Sequence, residues 1–226
     1  KSFFRTKKEQ LLCICDGMGG EKKGEIASKL AVRSLMRFRK RYGNMFKGFE
    51  EYANEYIRYA NDDILEYMKA KKEGTMGSTV VMVCVSPKFG KAVSANIGDS
   101  KAFLFRDGKM KKISYDHNQA QRLVNTGVIS EETARTHRDK SKLTQYLGIA
   151  REEMILEPYF SEHIILRKKD IIVLCSDGLT DMMNYDEAAA ILNENEPLKI
   201  KCKKLVDEAN ERGGKDNITV VLCEIE

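Results

Sequence analysis

A run of short, β-branched segments between residues 77 and 114 places the strongest limit on how this chain can fold. The segments STVVMVCVS, KAVSANIGD, KAFLFRDGK and MKKIS follow one another with only turn residues between them. That spacing is typical of antiparallel strands. Within RDGK, Asp107 and Gly108 indicate a two-residue hairpin turn. The sequence therefore predicts an antiparallel sheet in the middle of the chain.

Helical and strand-like segments surround this sheet. Apolar residues recur at helical spacing over 27–38 and 49–64. Two further helical regions follow at 179–193 and 198–209, whereas LLCIC, MILEPYF, HIILR, DIIVLCS and NITVVLCEI resemble strands. Residues 116–147 are polar and mostly helical in pattern, which predicts an excursion from the sheet. The order of segments predicts an α+β fold in which helices cover two sheets.

The composition fits one domain spanning residues 1–226. A chain of 226 residues can bury a large core. It contains no signal-peptide pattern and no apolar stretch near the ~18 residues of a membrane span. The six cysteines show neither C-x-x-C nor zinc spacing, which predicts reduced thiols in a cytoplasmic protein. The net charge of +5 is mild and no nucleic-acid motif accompanies it, so we expect neither a nucleic acid nor a membrane as partner.

Four aspartates stand where apolar runs begin or end. Asp16 follows LLCIC, Asp99 follows VSANIG, Asp177 follows IIVLCS, and Asp216 precedes NITVVLCEI. Such positions lie at the rim of a sheet, so the four carboxylates converge if their strands are neighbours. Converging carboxylates repel one another unless a cation is present, and an oxygen-only ligand set selects Mg²⁺ or Mn²⁺ over zinc. Two such ions can position a phosphoryl group and activate a water.

A dinucleotide site is a different interpretation of LLCICDGMGG, because a strand followed by glycines and a helix is also typical of that class. The G-x-G-x-x-G pattern fails, since Lys22 occupies the third glycine position after Gly17 and Gly19. We therefore set this interpretation aside.

Six motifs in a fixed order identify a family. They are DGMGG (16–20), GSTVV (77–81), NIGDS (96–100), LTQYLG (143–148), SDGLTD (176–181) and DNITV (216–220). Their order and separation resemble the metal-dependent protein phosphatases (PPM), in particular the bacterial type 2C serine/threonine phosphatases. The resemblance covers essentially the whole chain. It implies a four-layer αββα sandwich, two antiparallel sheets flanked by helices, with residues 116–147 forming a flap beside the active site.

The resemblance also implies the roles of individual residues. Asp16 corresponds to the aspartate that bridges two metal ions, and the backbone carbonyl of Gly17 to a ligand of the second. Asp177 and Asp216 complete the ligands of the first ion, so that these three aspartates form the catalytic centre. Asp99 resembles a ligand of a third, weaker ion, shared with Asp177. The implied reaction is in-line attack of a metal-bridging hydroxide on phosphoserine or phosphothreonine, with Mn²⁺ or Mg²⁺ as cofactor.

The chain departs from the family pattern at two places. Met18 stands where eukaryotic relatives carry a histidine that protonates the leaving group, and methionine cannot donate a proton. The family also begins with a strand that carries a phosphate-binding arginine, followed by an acidic residue. Lys1 stands about where the acid is expected, and Arg5 comes too late to be that arginine, so we expect this strand to be missing from the sequence.

Two other functions remain open on the sequence alone. One is a catalytically weak, PPM-like regulatory domain that binds metal or a phosphoprotein, which the missing arginine favours and the retained aspartates oppose. The other is a phosphatase of a small phosphate ester. We expect a monomeric enzyme that acts on phosphorylated proteins and opposes a serine/threonine kinase.

Overall fold

Two antiparallel sheets stack face to face in the structure, a computed structural model that describes residues 9–42 and 45–226. The first half of the chain contributes β1 (Gln10–Ile14), β2 (Gly17–Met18), α1 (Glu21–Tyr42), α2 (Phe49–Lys71), β3 (Gly77–Ser78), β4 (Val80–Ser86), β5 (Lys91–Ile97), β6 (Lys101–Arg106) and β7 (Lys109–Lys112). The second half contributes α3 (Gln119–Asn125), α4 (Glu131–Thr136), β8 (Tyr159–Phe160), β9 (Ile164–Ile165), β10 (Ile171–Cys175), α5 (Asp177–Thr180), α6 (Tyr185–Asn193), α7 (Leu198–Glu211) and β11 (Val220–Glu224).

The order of the strands brings distant parts of the sequence together. The first sheet has the order β1-β4-β5-β8, with β9 also paired to β5, and the second has the order β11-β10-β6-β7. Strands β2 and β3 form a short ribbon of their own. Every pair is antiparallel, as the sequence predicts.

Strand β4 shows why its sequence is apolar without interruption. Successive side chains of a strand point to opposite faces, and both faces of β4 are covered. One set of its side chains packs on α1 and α2, namely Val80, Met82 and Cys84. The other set packs on the second sheet, namely Val81, Val83 and Val85. Strand β4 is therefore the centre of the sandwich.

Helices cover the two outer faces. The pair α1 and α2 packs on the first sheet through a cluster that includes Phe38, Tyr52 and Tyr56, which agrees with the prediction of a core stripe rather than a ligand platform. Helices α5, α6 and α7 cover the second sheet. The four-layer αββα sandwich is thus confirmed.

The turns of the structure test two local predictions. Asp107 and Gly108 both have positive φ, 51° and 75°, and close the β6–β7 hairpin as predicted. The predicted helical region over 179–193 consists of two elements, because α5 ends at Thr180 and α6 begins at Tyr185. The Asn184 side chain caps α6 by accepting from the backbone N–H of Glu187, whose carboxylate accepts from the N–H of Asn184.

All six cysteines are described and none forms a disulfide. Among residues 9–42 and 45–226, no helix combines the length and the hydropathy that a transmembrane segment needs. The predictions for Lys1 and Arg5 concern residues outside those that the structure describes.

Candidate metal centre and flap

Asp16 is fixed by its backbone at the end of β1. Its N–H donates to Oγ1 of Thr79 at 3.1 Å, and its carbonyl oxygen accepts from the N–H of Thr79 at 2.7 Å and from Oγ of Ser78 at 3.0 Å. The GSTVV motif therefore holds the first aspartate in place. These contacts leave the half-buried carboxylate of Asp16 free to face the rim of the sandwich.

Asp99 occupies the connection between the two sheets. The preceding Gly98 has φ +92°, and a Cβ there would lie 2.7 Å from the side chain of Thr79, so only glycine fits this turn. Thr79 Oγ1 and Ser100 Oγ lie 2.7 Å apart, which joins the NIGDS turn to the segment that holds Asp16. The carboxyl group of Asp99 is buried, with 6% of the residue exposed.

Asp177 and Asp216 come from neighbouring ends of the second sheet. Oγ of Ser176 donates to the carbonyl oxygen of Asn217 at 3.0 Å and accepts from the N–H of Thr219 at 3.0 Å. This pair of bonds keeps the DNITV segment beside the start of α5. Asp177 is half-buried in the first turn of α5, while Asp216 is exposed.

The four carboxylates are close enough to change one another's ionisation. Burial, and then the negative charges of Asp177 and Asp216, raise the pKa of Asp16 to about 7. Burial is also the main reason that the pKa of Asp99 rises to about 7, with Asp177 adding to it and Lys101 opposing it. The pKa of Asp177 is raised mainly by burial and further by Asp216. The four aspartates are therefore near enough for their charges to interact, and their role as metal ligands stays a prediction.

The donor set fits a hard divalent cation. The carboxyl groups of Asp16 and Asp177 interact closely enough to shift each other's pKa, and carboxylates that interact in this way repel each other unless a proton or a cation lies between them. Oδ1 of Asp177 is buried and has no hydrogen-bond partner in the described part of the chain. Within residues 9–42 and 45–226, no group of three or more Asp, Glu, His or Cys side chains is arranged so that it could hold a metal ion.

Gly17 has a structural reason to be glycine. It lies in β2, and a Cβ at this position would be 1.8 Å from the carbonyl oxygen of Gly24 in α1. The close approach of α1 to β2 therefore excludes any side chain at position 17. This contact explains the glycine without a metal, so the ligand role of its carbonyl stays a prediction.

Lys101, a residue that the sequence pattern did not single out, is a buried cation beside the aspartates. Its Nζ donates to the carbonyl oxygen of Asp99 at 2.9 Å and lies 3.5 Å from Oδ2 of Asp116. Although burial lowers it, the pKa of Lys101 is raised overall by Asp116 and Asp99, so the side chain stays charged. It offsets part of the negative charge of the cluster. Lys101 is opposite Cys175 in the pairing of β6 with β10, and this pairing places Lys101 beside the aspartates.

Residues 116–147 form the predicted flap, with α3 and α4 as its helices. A cavity of about 470 Å³ lies between the flap and the start of α5 and α6, and both Asp99 and Asp177 line it. Lys140 of the flap donates to Oδ1 of Asp181 at 2.7 Å. The guanidinium of Arg135 lies 4.0 Å from the ring centre of Tyr185. These two contacts join the flap to the body of the protein.

Replacing Lys140 by alanine is expected to loosen the flap. An ion pair of this exposure contributes about 0.2–1 kcal/mol, which corresponds to about 1.4- to fivefold faster amide hydrogen exchange over residues 131–142. The matched control is Lys142→Ala, because Lys142 pairs with Asp139 at 2.6 Å inside the flap itself. Equal exchange in the two variants would show that the Lys140–Asp181 pair does not hold the flap.

The histidines near the flap have structural contacts. Nδ1 of His117 accepts from the N–H of Gly98 at 3.2 Å, and burial lowers the pKa of its ring, so it is neutral near pH 7. Nδ1 of His137 accepts from the N–H of Asp139 at 3.2 Å. No histidine is among the described residues that line the cavity. Met18 lies in β2 opposite Gly77.

Known proteins match this chain in sequence and in fold. A family model described as Protein phosphatase 2C matches residues 1–216. The serine/threonine phosphatase stp of Listeria innocua is 32% identical over 228 residues, which cover 98% of this chain and 87% of that protein. The structure of the S. agalactiae serine/threonine phosphatase superposes with a TM-score of 0.85 at 31% identity and covers 99% of this chain and 90% of its own. The catalytic domain of the serine/threonine protein phosphatase PstP, in complex with 2 manganese ions, superposes with a TM-score of 0.77 at 28% identity, covering 95% and 86%.

Proposed function

The chain belongs to the protein phosphatase 2C family, and from this we infer that its four converging aspartates are the metal ligands of a serine/threonine protein phosphatase. The enzyme hydrolyses phosphoserine and phosphothreonine in proteins in a metal-dependent reaction. The observation that carries the ligand assignment is the buried oxygen of Asp177 that has no hydrogen-bond partner among the described residues, beside an Asp16 carboxyl group whose pKa the charge of Asp177 helps to raise. Carboxylates that interact in this way are stable as anions only when a cation lies between them.

The aspartates then have two tasks. Asp16, Asp177, Asp216 and the carbonyl oxygen of Gly17 would hold the main cations, and Asp99 together with Asp177 would hold a further, weaker one. Mn²⁺ or Mg²⁺ ions bound there supply charge neutralisation for the phosphoryl oxygens and a water of lowered pKa.

The remaining chemistry belongs to side chains and to the cavity. Lys101 keeps its charge behind Asp99 and limits the repulsion within the cluster. The cavity under the flap accepts the residues next to the phosphorylated side chain, with Asp177 at its floor. Met18 has no proton to give and no histidine is among the described residues lining the cavity, so a water or another side chain of the site protonates the departing serine or threonine oxygen.

Phosphate release from a phosphothreonine peptide tests this function. We expect turnover with Mn²⁺, loss of turnover with excess EDTA, and recovery when Mn²⁺ is added back. Folded protein that binds Mn²⁺ but releases no phosphate would favour the regulatory domain instead. Release from a small phosphate ester but from no phosphopeptide would favour the small-ester phosphatase.

We further propose that the domain spans residues 1–226 and acts as a monomer in the cytoplasm, on proteins that a serine/threonine kinase has phosphorylated. The relatives named as serine/threonine phosphatases, which match nearly the whole chain, support this choice of substrate.

A further inference from the structure

A second large cavity lies between the free edges of the two sheets, outside the metal centre. Its volume is about 890 Å³. One wall is β7, the edge strand of the second sheet, and the other is the β8–β9 edge of the first sheet. Its apolar part includes Leu104, Ile113 and Ile164. We call this cavity the β7 groove.

Two lysines with no ionic partner line the β7 groove. Lys109 is opposite Arg106 and Lys111 is opposite Leu104, and opposite residues of an antiparallel pair share a face. Leu104 belongs to the core between the two sheets. Lys109 and Lys111 therefore lie on the face of β7 that is directed toward the other sheet and lines the groove. Both are exposed, and neither forms an ion pair with any described residue.

The other charged residues of the groove include acids as well as cations. Arg106 forms two hydrogen bonds with Asp170, at 2.8 and 2.6 Å. Lys112 lies 3.5 Å from Asp116. Asp107 and Glu162 also line the groove. On β7 itself, the cations that form no ion pair with a described residue are Lys109 and Lys111, which are two residues apart.

The geometry of the groove matches an extended polypeptide. The outer edge of β7 pairs with no other described strand, and such an edge can accept the backbone of an added strand. Side chains of an added strand repeat every two residues on each face, as Lys109 and Lys111 do. The apolar residues of the groove beside the two lysines fit a peptide that carries both apolar and acidic side chains. A nucleic acid would pair with the lysines but would bury little apolar surface on these residues.

The groove also leads to the metal centre. Lys112, at the end of β7, lines both the groove and the cavity above Asp177. Lys111 is opposite Leu104, three residues along β6 from Lys101, and Lys101 is opposite Cys175, two residues before Asp177. At about 3.3 Å per residue, Lys111 and Lys109 lie roughly 17 and 23 Å from Asp177 along the strand direction.

We propose that the β7 groove binds an extended acidic segment of the phosphoprotein substrate, with acidic side chains about five and seven residues from the phosphorylated residue. The proposal rests on the phosphatase function and adds a determinant of substrate choice to it. The acidic residues pair with Lys111 and Lys109 while the phosphorylated residue lies at the metal centre.

Phosphothreonine peptides with glutamate at these two positions, on either side of the threonine, test the proposal against peptides with glutamine there. We expect the KM of the better acidic peptide to be about three- to tenfold lower, as two partly exposed ion pairs allow. The double variant Lys109→Glu/Lys111→Glu should abolish that difference. Its matched control is Lys69→Glu/Lys71→Glu, which makes the same change of net charge at exposed positions of α2.

Turnover of p-nitrophenyl phosphate separates this proposal from the phosphatase function, because that ester carries no peptide segment. If both double variants keep turnover of the ester and only Lys109→Glu/Lys111→Glu loses the preference for glutamate, the groove is the docking site. Equal preferences in the two variants would overturn the proposal.

Fluorescence anisotropy with the unphosphorylated acidic peptide and with a single-stranded DNA oligonucleotide provides a readout that does not need catalysis. Binding of the peptide that only the Lys109/Lys111 variant loses supports the proposal. If the oligonucleotide binds more tightly than the peptide and depends on the same lysines, the groove binds nucleic acid and the proposal is wrong.

Discussion

Asp177→Asn is expected to lower the rate of phosphate release from a phosphothreonine peptide at saturating Mn²⁺ by about a thousandfold or more. The substitution removes one negative charge from a site where Oδ1 of Asp177 is buried without a partner. A cation in such a centre contributes several kcal/mol to stabilisation of the transition state, and each 1.4 kcal/mol corresponds to a tenfold rate. Steady-state phosphate release by the two proteins, at matched concentration, measures the effect.

Asp107→Asn is the matched control, since it makes the same chemical change in the β6–β7 turn. Asp107 is exposed and has φ 51°, a conformation that asparagine adopts readily. Its turnover of p-nitrophenyl phosphate should stay within about twofold of the original protein, as surface changes of this kind have small effects. An Asp177→Asn protein that keeps a tenth of the original rate would show that Asp177 is not a ligand that the reaction requires.

Metal-free protein is expected to lose stability as the pH rises from 5 to 7.5. The pKa of Asp99 is about 7 in the folded protein, mainly because of burial, whereas an unfolded chain has an aspartate pKa near 3.9. Between these values the unfolded state ionises and the folded state does not, so rising pH favours unfolding. One pKa unit corresponds to about 1.4 kcal/mol. With EDTA present we therefore expect a loss of roughly 2 kcal/mol, or about 4–8 °C in Tm.

Two comparisons decide whether the aspartates cause this loss. Asp99→Asn should reduce the dependence of Tm on pH, because asparagine does not ionise. Mn²⁺ should raise Tm more at pH 7.5 than at pH 5, because the cation binds the ionised carboxylates. A wild-type Tm that is constant or rises with pH in EDTA, in parallel with the variant, would contradict the raised pKa of Asp99.

Much of the fold could be predicted from sequence because its strands are short, apolar and separated by clear turn residues. The unbroken apolar run of β4 and the Asp107–Gly108 turn are local signals, and both are confirmed. The helical region over 179–193 was predicted without its division into α5 and α6, although Asn184 followed three residues later by Glu187 is a recognisable capping signal. Apolar spacing alone does not show where one amphipathic helix ends and the next begins.

The site was only partly predictable. Asp16, Asp99, Asp177 and Asp216 share a visible placement at the ends of apolar runs, and the structure brings them together. The contacts that complete the site join residues far apart in sequence, such as Lys101 with Asp116 and Lys140 with Asp181. Charged residues at these positions are also typical of an ordinary surface, so only the folded structure reveals the pairs.

The four aspartates are divided between the two sheets, and this division has a consequence for how the enzyme matures. Asp16 follows a strand of the first sheet, Asp177 and Asp216 flank strands of the second, and Asp99 lies on the link between the sheets. Pairings between strands so distant in sequence form slowly, because the chain loses the entropy of closing long loops before it gains any stabilising contact. On the proposed ligand assignment, a chain with only one sheet assembled lacks part of the ligand set, so we expect metal binding to require both sheets to be formed.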